Sequence, residues 1–570
     1  MALKVVNMTP QSLSGETNQD SEPQIAVNPQ NPSEIVGSAF TPDPAGGSLA
    51  PVYVSEDGGL TWALCPIIPG GNGFTGTGDV SIRFAGSGTF YAADLRGDAF
   101  LHLNVLRGGT FFPPSAMTVV YDRPSNVDQP YIQAATSAGT DRVHVGANDG
   151  NGIPKRQSSL EQSLNAQTAP LPANFSTIVL ESRATSGPGD APSVRPAIHP
   201  DGTVYVAYLA WRAWNGVTST TDVVICRDDN WGTGPNPYNA LNDAVDGLRG
   251  NRIATGLVIN WISPTLGQER IGSDLAIAVD PTDSASVYVA WADNAGGPYT
   301  LHVRHSTDRG VNWSGDIRTV TNAKNPGLAV NSDGRLGFLF QQVTGAAPNQ
   351  RWVTTLELTS NDWAGPAETH VLATVPAATP AATFWPYIGD YVCLLALKSH
   401  FYGIFCANNT PDNANFPSGV SYQRNADFAA HVLLNVNNTT QVPISIDPFF
   451  FHYWPRLKWH KELKPEIKEK IEIKELKWER KEKFEIKENI KPEIDHKGLK
   501  ELIKEKDKDL IEGGGKILVE GDPYRLLGKI AERIDQLEHD VGIGRAFIRP
   551  EERPDLGGNL PKEEPGTTAE

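Results

Sequence analysis

Seven times between Glu22 and Cys406 the chain repeats one pattern: a polar residue, usually beside a proline, then a short apolar run, a turn and a second apolar run. The first runs read EPQIAVNP (22–29), DVSIRFAG (79–86), DQPYIQAA (128–135), VRPAIHP (194–200), DLAIAVDP (274–281), NPGLAVNSDG (325–334) and WPYIGDYV (385–392). Partner runs include GTFYAAD, DRVHVGAND, GTVYVAYLAW, ASVYVAWAD and FYGIFCANN. The first runs are apolar almost throughout, as strands buried on both faces are. A supersecondary unit repeated at long intervals marks a solenoid or a propeller, and an all-β unit favours the propeller. The expected fold is all-β, a β-propeller of four-stranded blades. Seven copies predict seven blades. Six follow if the last copy instead completes the first blade, with the N-terminal strand closing the ring. In either ring the first run lies nearest the axis, so residues far apart in sequence meet at one mouth.

Charge divides the chain. Residues 1–450 carry 23 Lys and Arg against 38 Asp and Glu, and residues 451–570 carry 26 against 28. The acidic first region argues against nucleic acid as a partner, because phosphate contacts need clustered Lys and Arg. The opening MALKVVNMTPQSLSGETNQD has no apolar core of signal-peptide length, and no 18-residue apolar run occurs. A soluble protein is expected, reaching any cell-surface or extracellular site by a non-classical or assembly-linked route. Four cysteines in 570 residues are not a disulfide scaffold. Cys393 and Cys406 could face each other across a hairpin or sit as two buried thiols.

Two segments carry a sharper motif, Ser55-Glu-Asp57-Gly-Gly59-Leu-Thr61-Trp62 and Ser306-Thr-Asp308-Arg-Gly310-Val-Asn312-Trp313. In each, the Asp can accept bonds from the turn's own amides, the glycine supplies a positive φ, and the Trp buries its ring between sheets. RDDNWG (227–232) and TSNDWAG (359–365) are weaker echoes. The motif resembles the Asp-box of sialidases and other BNR-repeat propellers, over about residues 20–445. That resemblance implies a six-bladed ring, with Asp57, Trp62, Asp308 and Trp313 structural and away from the active site. For sialidases it also implies an arginine triad for the substrate carboxylate, a Tyr/Glu nucleophile pair and an aspartic acid as proton donor.

The family's opening aromatic-Arg-Ile-Pro segment is missing; SEPQIAV stands there instead. Arg195 is the one arginine directly before an inner-strand proline, while Arg83 and Arg304 lie farther along their runs. If the chain is an enzyme, its candidates are Arg195, Glu22, Asp79 and Tyr387, with Glu269 and Tyr391 as further recruits to a nucleophile pair. Aligning the seven copies places Glu22, Asp79, Asp128, Arg195, Asn325, Asp274 and Trp385 just before the inner strands. These groups could hold Ca²⁺, the only cofactor the pattern suggests, or a sugar by hydrogen bonds and stacking. Equally, they could cap backbone amides at the strand starts. Trp211, Trp214 and Trp231 offer either a contact surface or blade packing.

Beyond PFFFHYWP (448–455) the composition turns to Lys, Glu and Ile, which predicts an extended stalk or linker over 451–515. Residues 516–570 are expected to hold an amphipathic helix at 522–541 and a Pro/Gly-rich docking tail. Asp522 can cap that helix and Pro523 open it. Leu527, Ile530, Ile534, Leu537 and Val541 follow coiled-coil spacing, so self-association, as a trimer, or docking to a larger assembly is expected. The layout predicts a non-catalytic recognition head for a glycan or protein surface, displayed multivalently through its tail. The alternatives are an exo-sialidase or other glycoside hydrolase, and a structural subunit of a surface or tubular assembly.

Overall fold

The computed structural model describes residues 3–455 except 70–77, 98–100, 124–126, 150–156, 168–174, 182, 184–192, 261–263, 267, 271–274, 296–297 and 382–386. The expected stalk (451–515) beyond residue 455, the helix at 522–541 and its Leu527, Ile530, Ile534, Leu537 and Val541 lie outside the described residues, as do Asp274 and Trp385.

Seven sheets of four or five strands follow one another along the chain, antiparallel but for one short edge strand in the seventh. Their first strands are Ser21–Val27, Val80–Phe84, Val127–Ser137, Val194–Ile198, Leu275–Asp280, Ala323–Val330 and Cys393–Leu397, which define blades 1 to 7. Each first strand packs against that of the next blade, and Cys393–Leu397 packs back against Ser21–Val27. The ring is closed. It has seven blades, one more than the family resemblance implied.

Blade 7 shows how closure works. Its strand order is Cys393–Leu397, His400–Asn408, Ile446–Tyr453, then Leu3–Asn7 from the other end of the chain, with the short Ser421–Tyr422 parallel to it at the edge. Leu3 pairs with Tyr453 and Asn7 with Phe449. The last copy therefore builds its own blade, and the N-terminal strand closes that one rather than the first. The composition boundary at 450 falls inside a core strand, whose Phe449, Phe450 and Phe451 are fully buried. The compact unit runs from Met1 to Leu457.

The cores lie between neighbouring sheets. Val36, Val52 and Val54 of blade 1 pack with Val80, Ile82 and Ala92 of blade 2. Across the closing seam, Ile25, Ile35 and Tyr53 pack with Val6, Ile404 and Phe450. Burying apolar side chains on both faces of every sheet is what holds the blades upright. The described residues contain no α-helix, and none of them forms a helix long and apolar enough to cross a membrane.

The segments 55–62 and 306–313 both join the third strand of a blade to the fourth, as do their two echoes. In an antiparallel blade this turn lies at the end opposite to where the first strand starts. Asp57 accepts from the amides of Leu60 and Thr61, both at 2.9 Å, and Ser55 Oγ accepts from Gly59 N at 2.7 Å. Ser306 Oγ and Gly310 repeat that bond at 2.9 Å. At 359–363 Thr359 Oγ1 plays the serine's part and Asn361 the aspartate's. Gly59 has φ +88°, and a Cβ there would meet the Phe450 ring at 2.2 Å. Trp62 is buried against the same ring.

The cysteines are four buried thiols. Cys393 pairs with Ile404, not Cys406, and the two thiols belong to different cores. Trp211 and Trp231 are packing residues, 1% and 6% exposed; Trp214 stacks on Trp211.

Candidate functional site

Three blades begin with the same strained device. The register slips between Ser21 and Gln24, between Asp128 and Tyr131, and between Lys324 and Gly327. In each slip a residue before proline takes a positive φ: Glu22 at 51°, Gln129 at 49° and Asn325 at 55°. Left-handed backbone costs a non-glycine residue about 1–3 kcal/mol and persists only where its surroundings enforce it. Here the enforcement is visible. Glu22 Oε1 accepts from Asp390 N of blade 7 at 3.3 Å, Gln129 Oε1 from Ser193 Oγ of blade 4 at 3.0 Å, and Asn325 Nδ2 donates to the Gly389 carbonyl at 3.1 Å. The bulges turn these side chains sideways, where they join each blade to another.

Alignment of the copies named Asp128, but the bulge puts Gln129 in the position of Glu22 and Asn325. Asp128 is half-buried and accepts from Gln129 N at 2.9 Å. The copy WPYIGDYV is also out of phase. Its first strand starts only at Cys393, and Asp390 stands at the mouth beside Tyr391 and Glu22. Glu269 lies in the short strand Glu269–Arg270, ahead of blade 5.

Arg195 occupies the middle of the mouth and is 3% exposed. Its guanidinium lies 4.6 Å from the centre of the Tyr131 ring and 5.5 Å from that of Tyr391. Burial, then the charges of Asp79 and Glu22, push the Tyr391 phenol well above its usual range, with Arg195 opposing. The mouth thus gathers Glu22, Asp79, Arg195, Tyr391 and Asp390 from blades 1, 2, 4 and 7. The cavity left among Tyr131, Arg195, Leu328 and Tyr391 is about 20 Å³, room for roughly one water.

Other sequence candidates fall elsewhere. Tyr387 is buried between blades 6 and 7, donating to the Pro380 carbonyl at 2.8 Å. Arg304 lies on blade 5, bound to Asp316 and stacked on Trp291. Arg83 acts on the Cys393 thiol from blade 2. Among the described residues these arginines do not converge as a triad.

One mouth-side group escaped the sequence reading as a candidate. Asp94 lies in the second strand of blade 2, Phe90–Gly97, opposite Val80, and burial pushes its carboxyl up to about 7, with Arg96 opposing and Asp122 adding. The folded state therefore holds this proton where the unfolded chain has released it. Stability is full below about pH 4 and falls as pH rises through 7, by up to about 4 kcal/mol. Asp94→Asn is expected to remove that loss. Urea midpoints of the two proteins should coincide at pH 4 and separate by pH 8, with the variant the more stable. A constant gap at both pH values would contradict the assignment.

No family model matches the chain, and no curated protein does. Among solved structures it is similar to the Hadza microbial sialidase Hz136, at 13% identity over 65% of this chain and 70% of that one, with a TM-score of 0.35. It is similar also to a Penicillium chrysogenum α-L-arabinanase solved with arabinobiose, at 11% identity over 78% and 97% of the two chains, with a TM-score of 0.37. A third is Chaetomium thermophilum Sqt1 bound to the N-terminus of a ribosomal protein, at 14% identity over 71% and 86%, with a TM-score of 0.34.

Proposed function

We propose that this chain is a non-catalytic recognition head. The face where the first strands start binds a glycan or protein surface, and the C-terminal region multiplies that contact. The smallness of the cavity among Tyr131, Arg195, Leu328 and Tyr391 carries this reading. A cavity of about 20 Å³ cannot take a sugar ring, and the groups a hydrolase would use, Arg195 and Tyr391, are each 3% exposed. The half-buried Asp128 and Tyr131 remain within reach of a ligand lying across the mouth.

Binding of the intact chain and of residues 1–457 to a glycan array and to surface-protein panels tests it. The intact chain should bind about 100-fold more tightly, if several heads engage together. Asp128→Ala with Tyr131→Ala should abolish binding by both. Equal binding by the two lengths would remove the multivalent display, and no binding by either would remove the recognition head.

One observation favours a glycoside hydrolase as the second reading: a phenol, three carboxylates and an arginine share one mouth. Release of a fluorogenic sialoside or arabinoside, lost in Tyr391→Phe, would establish that reading instead.

A further inference from the structure

Between Asn7, which ends the N-terminal strand of blade 7, and Ser21, which opens blade 1, the chain crosses the seam of the ring. Gln19 bridges to Ile446 there, and Asp20 N donates to the Ile446 carbonyl at 2.9 Å. The crossing buries acid. Glu16 is 8% exposed, Asp20 is 1% and Asp447, from the third strand of blade 7, is 0%. One carboxylate oxygen from each lies within 4.8 Å of the other two.

The three are not equally provided for. Asp447 accepts from Asn7 Nδ2 at 2.7 Å, Asn409 Nδ2 at 2.8 Å, Ser445 Oγ at 2.8 Å, Thr9 Oγ1 at 3.4 Å and the Arg424 guanidinium. Glu16 Oε1 accepts from Asn18 N. Glu16 Oε2 and both oxygens of Asp20 have no hydrogen-bond donor in proper geometry, though the Thr41 hydroxyl stands near Asp20. The Tyr53 hydroxyl, buried within the field of the same three acids, likewise has no partner. Leaving buried carboxylate oxygens unsatisfied is among the costliest things a fold can do.

Charge leads to the same place. Arg424 is the cation that the described contacts bring to these three acids, which leaves two negative charges unmatched when all are ionised. Oxygens bound to one ion at about 2.4 Å stand no more than about 4.8 Å apart, a limit that these three oxygens satisfy.

We propose that Glu16, Asp20 and Asp447 hold a divalent cation, calcium by the hardness and flexible spacing of their oxygens, which clamps the N-terminal segment onto the last blade. Asp447 is already oriented by its donors, as ligating carboxylates are. The ion supplies what Asp20 and Glu16 lack, and it enters as the ring closes, because the finished site is buried. Calcium was expected at the mouth from the aligned copies; these three residues were not among those candidates, because they come from the two ends of the propeller.

The test uses the full-length chain, unfolded in urea with EDTA and refolded with calcium chloride, with magnesium chloride or with neither. Calcium should raise Tm progressively with concentration, as ligand binding to the native state requires. Calorimetry on the EDTA-refolded chain should show one site. Asp20→Asn and Glu16→Gln should each weaken binding by at least about tenfold, whereas Asp79→Asn, which would matter if the mouth held the ion, should not. Should Asp20→Asn fail to refold, the more exposed Glu16→Gln decides. A Tm indifferent to calcium, affinity unchanged in Glu16→Gln, or an equal response to magnesium would overturn the proposal.

Discussion

Gly389→Ala is expected to destabilise the propeller by about 3–5 kcal/mol, through backbone strain added to overpacking. Gly389 stands where blade 7 meets blade 1, with φ +93°. A Cβ there would lie 2.3 Å from the backbone N of Glu22 and 3.0 Å from its Cα. Neither atom can yield, because Glu22 is itself held in left-handed backbone by the bulge before Pro23. Moving Gly389 instead would pull its carbonyl from the buried Lys324 ammonium and Asn325 amide, each donating at 3.1 Å. Gly234→Ala is the control, at φ +95° with nothing within 4 Å of the added Cβ. Equilibrium unfolding in urea should show Gly389→Ala losing several times what Gly234→Ala loses. Similar midpoints for the two variants would mean that the blade 7 to blade 1 junction is not rigid.

Arg424→Met is expected to cost about 3–5 kcal/mol in calcium-free buffer, since breaking a buried pair strands its partner. The Arg424 and Asp447 side chains are both fully buried. Arg424 also donates to the Glu16 carbonyl at 3.2 Å, so it joins the crossing segment to the seventh blade. Adding Asp447→Asn should recover part of the loss, because removing both members of a buried pair is milder than removing one. A double variant no more stable than Arg424→Met would show that the guanidinium matters for packing rather than charge.

How much was legible depends on how local each feature is. EPQIAV and VRPAI could be read as inner strands because burial on both faces writes itself into consecutive apolar residues. The turns at 55–62 and 306–313 were legible for the same reason: the Ser, Asp and Gly that make the bonds lie within five positions of one another. WPYIGDYV misled because it copies the pattern while the strand itself, CLLAL, follows without a polar start. Asp128 stood in for Gln129 because a bulge inserts a residue that apolar periodicity does not register.

Sequence alone determined the repeating unit and left the count between seven blades and six, since the unit follows from side-chain alternation and turn chemistry over short spans. Only the tertiary structure decided which groups meet. It set Arg195 between Tyr131 and Tyr391, spent Glu22 and Asn325 on blade-to-blade bonds, and brought Glu16 and Asp20 to Asp447. Those contacts depend on closing the ring with Leu3–Asn7 against Ile446–Tyr453. A pairing between the far ends of the propeller leaves no trace in any local window, because what selects it is the apolar seam it buries.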